Sequence, residues 1–174
     1  MMETVLPADI AQMAARVVAE NKAAGRTVAV AESCTGGLVT AAITEVPGSS
    51  AILGSGYVTY SNQAKMTMLG VNEDIIDTFG AVSVAVAWAM AQGALKHSNA
   101  DVAVAITGIA GPDGGSELKP VGMVVFARAR RGEDPVMQRK VRREVVPTFR
   151  EAATAVHAAY AASWRNPKHA AQWL

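Results

Sequence analysis

The apolar residues Ile10, Met13, Ala14, Val17 and Val18 recur at i, i+3, i+4, i+7 and i+8, the spacing of one helical face. Pro7-Ala8-Asp9 opens this helix, and Gly25 ends it just past Lys22. The pattern then changes. Val28 to Ala31 is a nearly continuous apolar run, as expected of a strand covered on both faces. A helix from about Gly36 to Glu45 follows and stops before Pro47-Gly48. Ile52 to Tyr60 is rich in β-branched and aromatic residues but broken by Gly54 and Gly56. It reads as a strand with a bulge or a close backbone approach. Asn62 is placed to cap a short helix through Leu69, Glu73–Phe79 forms another ending at Gly80, and Ser83 caps a longer one over Val84–Lys96. Val102 to Ile106 is the second fully buried strand. Gly122–Ala129 and Val136–Val146 form an antiparallel pair joined through Gly132-Glu133-Asp134-Pro135. An alanine-rich helix covers about Phe149 to Trp164, and residues 166–174 form a loose tail.

Strands alternating with helices, then a hairpin, predict an α/β protein: a three-layer α/β/α sandwich with a mixed, mainly parallel sheet. The chain of 174 residues suits one domain with its core over about 8–165, and no repeat or linker divides it. In such sheets ligands sit beyond the carboxyl ends of the parallel strands. The polar glycine loops at 32–37 and 107–115 follow the two most buried strands, so they are expected to converge on a site. The first lies between a strand and a helix, where backbone N–H groups and the helix dipole suit an anion, either a bound phosphate or a transient oxyanion.

Composition narrows the field. With 51% hydrophobic and 18% charged residues the chain is globular rather than disordered. A net charge of +1 gives no global attraction for nucleic acid. The apolar stretches are too short and too interrupted to span a bilayer, and Met1-Met2-Glu3 lacks the basic start of a secretory signal. The lone Cys34 allows neither an intrachain disulfide nor a cysteine-based zinc site. A cytoplasmic protein of bacterial style is expected. The basic residues Arg128, Arg130, Arg131, Arg139, Lys140, Arg142 and Arg143 read either as a solvated hairpin edge or as help for a phosphorylated ligand. The apolar face of Val84, Ala87, Trp88 and Ala91 suits core packing or a subunit interface.

Neither loop is a P-loop or a dinucleotide fingerprint. His97, His157 and His169 lie outside any motif, so a Ser-His-Asp arrangement lacks its base. A hydroxyl with a lysine remains. Ser33 sits at a strand end, and Tyr60, Ser61 and Lys65 lie just beyond another. A neutral lysine can deprotonate a serine, but its pKa must fall well below the ordinary ~10.4, through burial or nearby cations. The alternative is an ordinary surface lysine. Cys34 is the rival nucleophile, or a small packed side chain. Neighbours on an extended backbone face opposite ways, so at most one of Ser33 and Cys34 faces the pocket.

The segments A-E-S-C-T-G-G (31–37), Y-V-T-Y-S-N-Q-A-K (57–65), G-A-V-S (80–83) and T-G-I-A-G-P-D-G-G-S-E-L-K-P-V-G (107–122) resemble, in order, those of the CinA C-terminal domain family. That family includes the bacterial nicotinamide mononucleotide (NMN) deamidases. The resemblance covers about residues 8–165, without the molybdopterin-binding-like domain of full-length family members, which implies the stand-alone form. It implies hydrolysis of NMN to nicotinate mononucleotide and ammonia without metal or organic cofactor, and a homo-oligomer by family habit. It also implies Ser33 as nucleophile, Lys65 as base and Tyr60 as an aid to lysine orientation or proton relay. Glu32, Cys34, Thr35, Gly36, Ser61, Thr107, Gly108 and Arg150 are then substrate-binding, with amides around Cys34 to Gly36 holding the oxyanion. One departure stands out. Where the family commonly has G-D-R and a further arginine, this chain has Thr148-Phe149-Arg150 and Thr154. If that region grips the ligand phosphate, weaker NMN binding or a different amide is expected.

Overall fold

The computed structural model describes residues 6–133. These fall into two compact units, 6–107 with 125–133 and 108–124. The elements are α1 (Ala8–Ala23), β1 (Val28–Glu32), α2 (Leu38–Thr44), β2 (Leu53–Val58), α3 (Asn62–Leu69), α4 (Glu73–Phe79), α5 (Val84–Lys96), β3 (Val102–Gly108) and β4 (Val124–Arg130). The expected strand at 136–146, the last helix, the tail and Arg150 lie outside the described residues.

The sheet order is β2-β1-β3-β4. β1 is parallel to both neighbours, from Val28↔Val102 to Glu32↔Ile106 on one side and from Val28↔Leu53 to Glu32↔Val58 on the other. At the far edge, Arg131 N donates to Asp101 O at one end of the β3–β4 ladder. At the other end Ile109 N donates to Met123 O, so residue numbers run in opposite directions and this pair is antiparallel. The sheet is therefore mixed and mainly parallel. Thr27 N and Oγ1 both donate to Asp101 Oδ2 (2.8 and 2.9 Å), which pins the register where β1 and β3 begin.

Two consecutive residues of β2 show the layers. A Cβ on Gly56 would meet the side chain of Thr40 in α2. Tyr57 Oη donates to His97 O just past α5 (2.9 Å). Successive strand residues point to opposite faces, so α2 and α5 cover opposite sides of the sheet. α1 packs with α2, while α3 and α4 pack with α5. The core beneath α5 is built from small residues: Ala29, Ala31, Ala103 and Ala105 of the central strands meet Met90, Ala91 and Ala94. Ala87 and Ala91 are buried, Ala91 within this core, whereas Val84 is exposed.

Three expectations need correction. The apolar stripe of α1 is only half used: Ala14 and Val18 are buried, but Met13 and Val17 are 60% and 39% exposed. α2 starts at Leu38 rather than Gly36, because Gly36 (φ +60°) and Gly37 (φ +103°) adopt left-handed backbone. The cap of α3 is Ser61, whose Oγ accepts from Ala64 N (3.0 Å), with Asn62 as the first helical residue. The glycines of β2 play separate parts. The register skips from Val28↔Leu53 to Ala29↔Ser55, which leaves Gly54 as the bulge, and Gly56 allows the close approach.

Gly93 in α5 tests the tightness of the helical layer. An added Cβ there would overlap the Leu69 carbonyl oxygen and come within 2.8 Å of its carbon. Helix propensity alone favours alanine by roughly 1 kcal/mol. Overpacking against backbone wins, so Gly93→Ala is expected to destabilise by about 2 kcal/mol in urea titrations. A stabilised variant would contradict this packing.

Candidate active site

At the end of β1 the extended chain sends neighbouring side chains to opposite sides. Glu32 turns towards α2 and Ser33 towards α3. Ser33 continues the ladder, its N–H donating to Ile106 O (3.0 Å), and its own carbonyl accepts from Gly36 N (3.0 Å) to close the turn. Left-handed backbone at Gly36 and Gly37 redirects the chain into α2, a conformation that side-chain-bearing residues rarely adopt.

The Glu32 carboxylate is fully buried. Its Oε2 accepts from Thr35 Oγ1 (2.7 Å), Gly37 N (3.1 Å) and Val39 N (3.1 Å). Its Oε1 accepts from Thr40 N (2.7 Å) and Thr40 Oγ1 (2.6 Å). Burial pushes its pKa up, but the bonds from Thr40, Thr35 and Val39 outweigh that and hold it below the ordinary value. Glu32 therefore caps α2, with both carboxylate oxygens engaged within the chain. The positive end of the helix is neutralised from within.

Lys65 is 1% exposed. It extends from α3, whose cap at Ser61 sets the helix start just beyond β2. Its Nζ lies 3.0 Å from Ser33 Oγ, 3.0 Å from Thr59 O and 3.5 Å from Tyr60 O. Among the described residues no carboxylate pairs with it. Burial lowers its pKa from the ordinary value, opposed only by the pull of a Cys34 thiolate. That thiolate is itself disfavoured, since burial raises the Cys34 pKa. A neutral amine has two N–H donors and one lone pair. In the structure the amine donates to Ser33 Oγ, Thr59 O and Tyr60 O. Once neutral, it would keep its two hydrogens for the carbonyls, which only accept, and turn its lone pair to the Ser33 hydroxyl. This arrangement can draw a proton from Ser33.

The remaining expected residues divide clearly. Tyr60 contacts Lys65 through its main-chain carbonyl, and the residue is 72% exposed, so the role expected of its side chain is not the contact observed. Thr107 directly follows Ile106, the partner of Glu32 in the register, and donates its buried hydroxyl to Ala81 O (3.0 Å). Gly108 ends β3. The Gly36 amide is engaged with Ser33 O, whereas the N–H groups of Cys34 and Thr35 meet no carbonyl acceptor among the described residues. Both bear on the Cys34 sulfur, whose pKa they lower against the effect of burial. Of the basic segment, Arg128 and Arg130 face Glu133, and Arg131 donates to Leu95 O, Ser98 O and Ala100 O around the end of α5. Thr59 was missed by sequence reasoning. Its N–H donates to Glu32 O (2.7 Å) and its carbonyl holds Lys65, backbone roles with no residue-type signature. Among the described residues no cluster of His, Cys, Asp and Glu could hold a metal ion, and no helix is long and apolar enough to cross a membrane.

The CinA C-terminal domain sequence model matches residues 10–163. The chain is 56% identical over 126 residues to the nicotinamide-nucleotide amidohydrolase PncC of Escherichia coli K12, covering 72% of this chain and 76% of that protein. It is 59% identical over 121 residues to a competence-damage inducible protein of Symbiobacterium thermophilum, covering 70% of this chain. It spans only 28% of the length of that protein, and 28% of a CinA-like protein of Mycobacterium. The crystal structure of the competence/damage inducible protein CihA from Agrobacterium tumefaciens is similar at a TM-score of 0.73 and 50% identity, over 76% of this chain and 80% of that one. The chain belongs to the CinA C-terminal domain family.

The lowered Lys65 pKa fixes the sign of a stability change. Unfolding restores the ordinary value of 10.5, so the unfolded chain binds more protons between the folded pKa and 10.5. The penalty for burying the amine is complete below the folded pKa and is relieved as pH rises towards 10.5. Wild-type stability should therefore gain on Lys65→Met with rising pH across that window, measured by urea unfolding. Parallel curves for the two proteins would show an unperturbed lysine.

Proposed function

We propose that this member of the CinA C-terminal domain family is a nicotinamide-nucleotide amidohydrolase that converts NMN to nicotinate mononucleotide and ammonia through Ser33 and Lys65. The observation that carries the reading is the 3.0 Å separation of Lys65 Nζ and Ser33 Oγ, with the amine buried and unpaired with any described carboxylate. The similarity to the E. coli amidohydrolase supports the choice of substrate.

In the proposed reaction, Ser33 Oγ attacks the carboxamide carbon as Lys65 Nζ takes its proton. The tetrahedral oxyanion meets the N–H groups of Cys34 and Thr35, donors of a kind typically worth about 3 kcal/mol each. The Lys65 ammonium returns the proton to the amide nitrogen, the C–N bond breaks and ammonia leaves an ester on Ser33. Water then attacks the ester with Lys65 again as base, releasing the acid and restoring the serine. Cys34 is the weaker candidate, because burial keeps its thiol protonated.

A second reading has one observation in its favour. Thr148 and Phe149 replace residues common in the family, which suits a nucleotide-binding protein without turnover, or an enzyme for another amide. Assaying NMN, nicotinamide riboside and nicotinamide in parallel separates these readings. Ammonia release from NMN is expected, unchanged by chelator and reduced about 10³-fold or more in Ser33→Ala and Lys65→Ala. Undiminished release in both variants would refute the assigned roles. Nucleotide binding by calorimetry with no product over hours would favour the second reading.

A further inference from the structure

Glu32 touches neither member of the reacting pair through its side chain, yet both are referenced to it. Its carboxylate grips Thr35, Gly37, Val39 and Thr40, so the turn carrying Ser33 is tied to the residue immediately before it. Its carbonyl accepts from Thr59 N at 2.7 Å and from Thr59 Oγ1 at 3.4 Å, and Thr59 O holds Lys65 Nζ at 3.0 Å. We infer that Glu32, braced by Thr40 and by the space that Gly56 leaves, is a positioning residue that sets the separation of Ser33 Oγ and Lys65 Nζ. This rests on the reading of Ser33 and Lys65 as nucleophile and base.

Two observations favour positioning over plain helix capping. A single side-chain acceptor at the cap suffices elsewhere in this chain, as at Ser61 and Ser83, whereas α2 receives a buried carboxylate with five donors from the strand that ends at the nucleophile. β2 is also shaped around the brace. A Cβ at Gly56 would lie 2.6 Å from Thr40 Cγ2 and 2.9 Å from the Oγ1 that donates to Glu32. Any side chain there displaces Thr40, and with it the carboxylate, although Gly56 itself is remote from the reacting atoms in sequence.

The test reads the nucleophile without depending on the amide substrate. A fluorophosphonate forms an Oγ–P bond with an activated serine, expels fluoride and leaves the serine proton with the base. Labelling of Ser33 is compared in wild type, Thr40→Val, Thr40→Ser and Gly56→Ala, each checked for folding by circular dichroism. Thr40→Val keeps the branched shape and loses the hydroxyl, and Thr40→Ser keeps the hydroxyl. Labelling should slow about tenfold or more in Thr40→Val and Gly56→Ala and stay within about twofold in Thr40→Ser. With NMN the same two slow variants should lose kcat while KM moves less than about twofold. Wild-type labelling rates in folded Thr40→Val and Gly56→Ala would overturn the inference, leaving Glu32 a helix cap alone. If wild type labels but does not hydrolyse NMN, only the substrate assignment fails and the labelling rates still decide. If wild-type Ser33 does not label, the nucleophile assignment and this inference fall together.

Discussion

A lysine amine enclosed by two carbonyls and one hydroxyl, with no described carboxylate at hand, is the constraint around which the site is organised. Burying an ammonium requires strong compensation, and neutral oxygens supply less of it than a carboxylate does. Folding therefore shifts Lys65 towards its uncharged form. In that form the acceptor-only carbonyls orient the amine, and its lone pair has one place to go.

Glu32 shows the opposite solution within the same few residues. It is as deeply buried as Lys65, yet five donors converge on its carboxylate and favour the charged form. The chain separates the two groups by the simplest device available, the alternation of side chains along a strand. One residue of β1 faces α2 and stabilises the turn. The next faces α3 and meets the amine. The start of α2 is thereby satisfied from within the chain, by Glu32.

Much of this was legible in the sequence, for identifiable reasons. The unbroken apolar runs at 28–31 and 102–106 became the central strands; β1 is buried throughout, whereas Val102 and Val104 of β3 are only half-buried among the described residues. Ser33, Cys34 and Lys65 stood out because few other groups in the polar motifs have nucleophile or base chemistry. The choice between Ser33 and Cys34 was not legible, since it depends on which way the strand's last side chains face. The part played by Glu32 was hidden for a related reason. Residue type alone does not show that the left-handed Gly36-Gly37 pair brings the start of α2 back onto the carboxylate beside Ser33. Thr59 acts through backbone atoms and leaves no trace in residue type. Met13 and Val17 show the reverse failure, a clear helical stripe of which only part is covered among the described residues.

The central claim concerns the protonation of one amine, and it can be read directly. Protein carrying ¹⁵N-labelled lysine, with the Lys65 signal assigned by its loss in Lys65→Ala, can be titrated by NMR while folded. The Lys65 Nζ resonance is expected to move from ammonium to amine below the ordinary 10.5. A Lys65 signal that changes only at or above that value would contradict the claim.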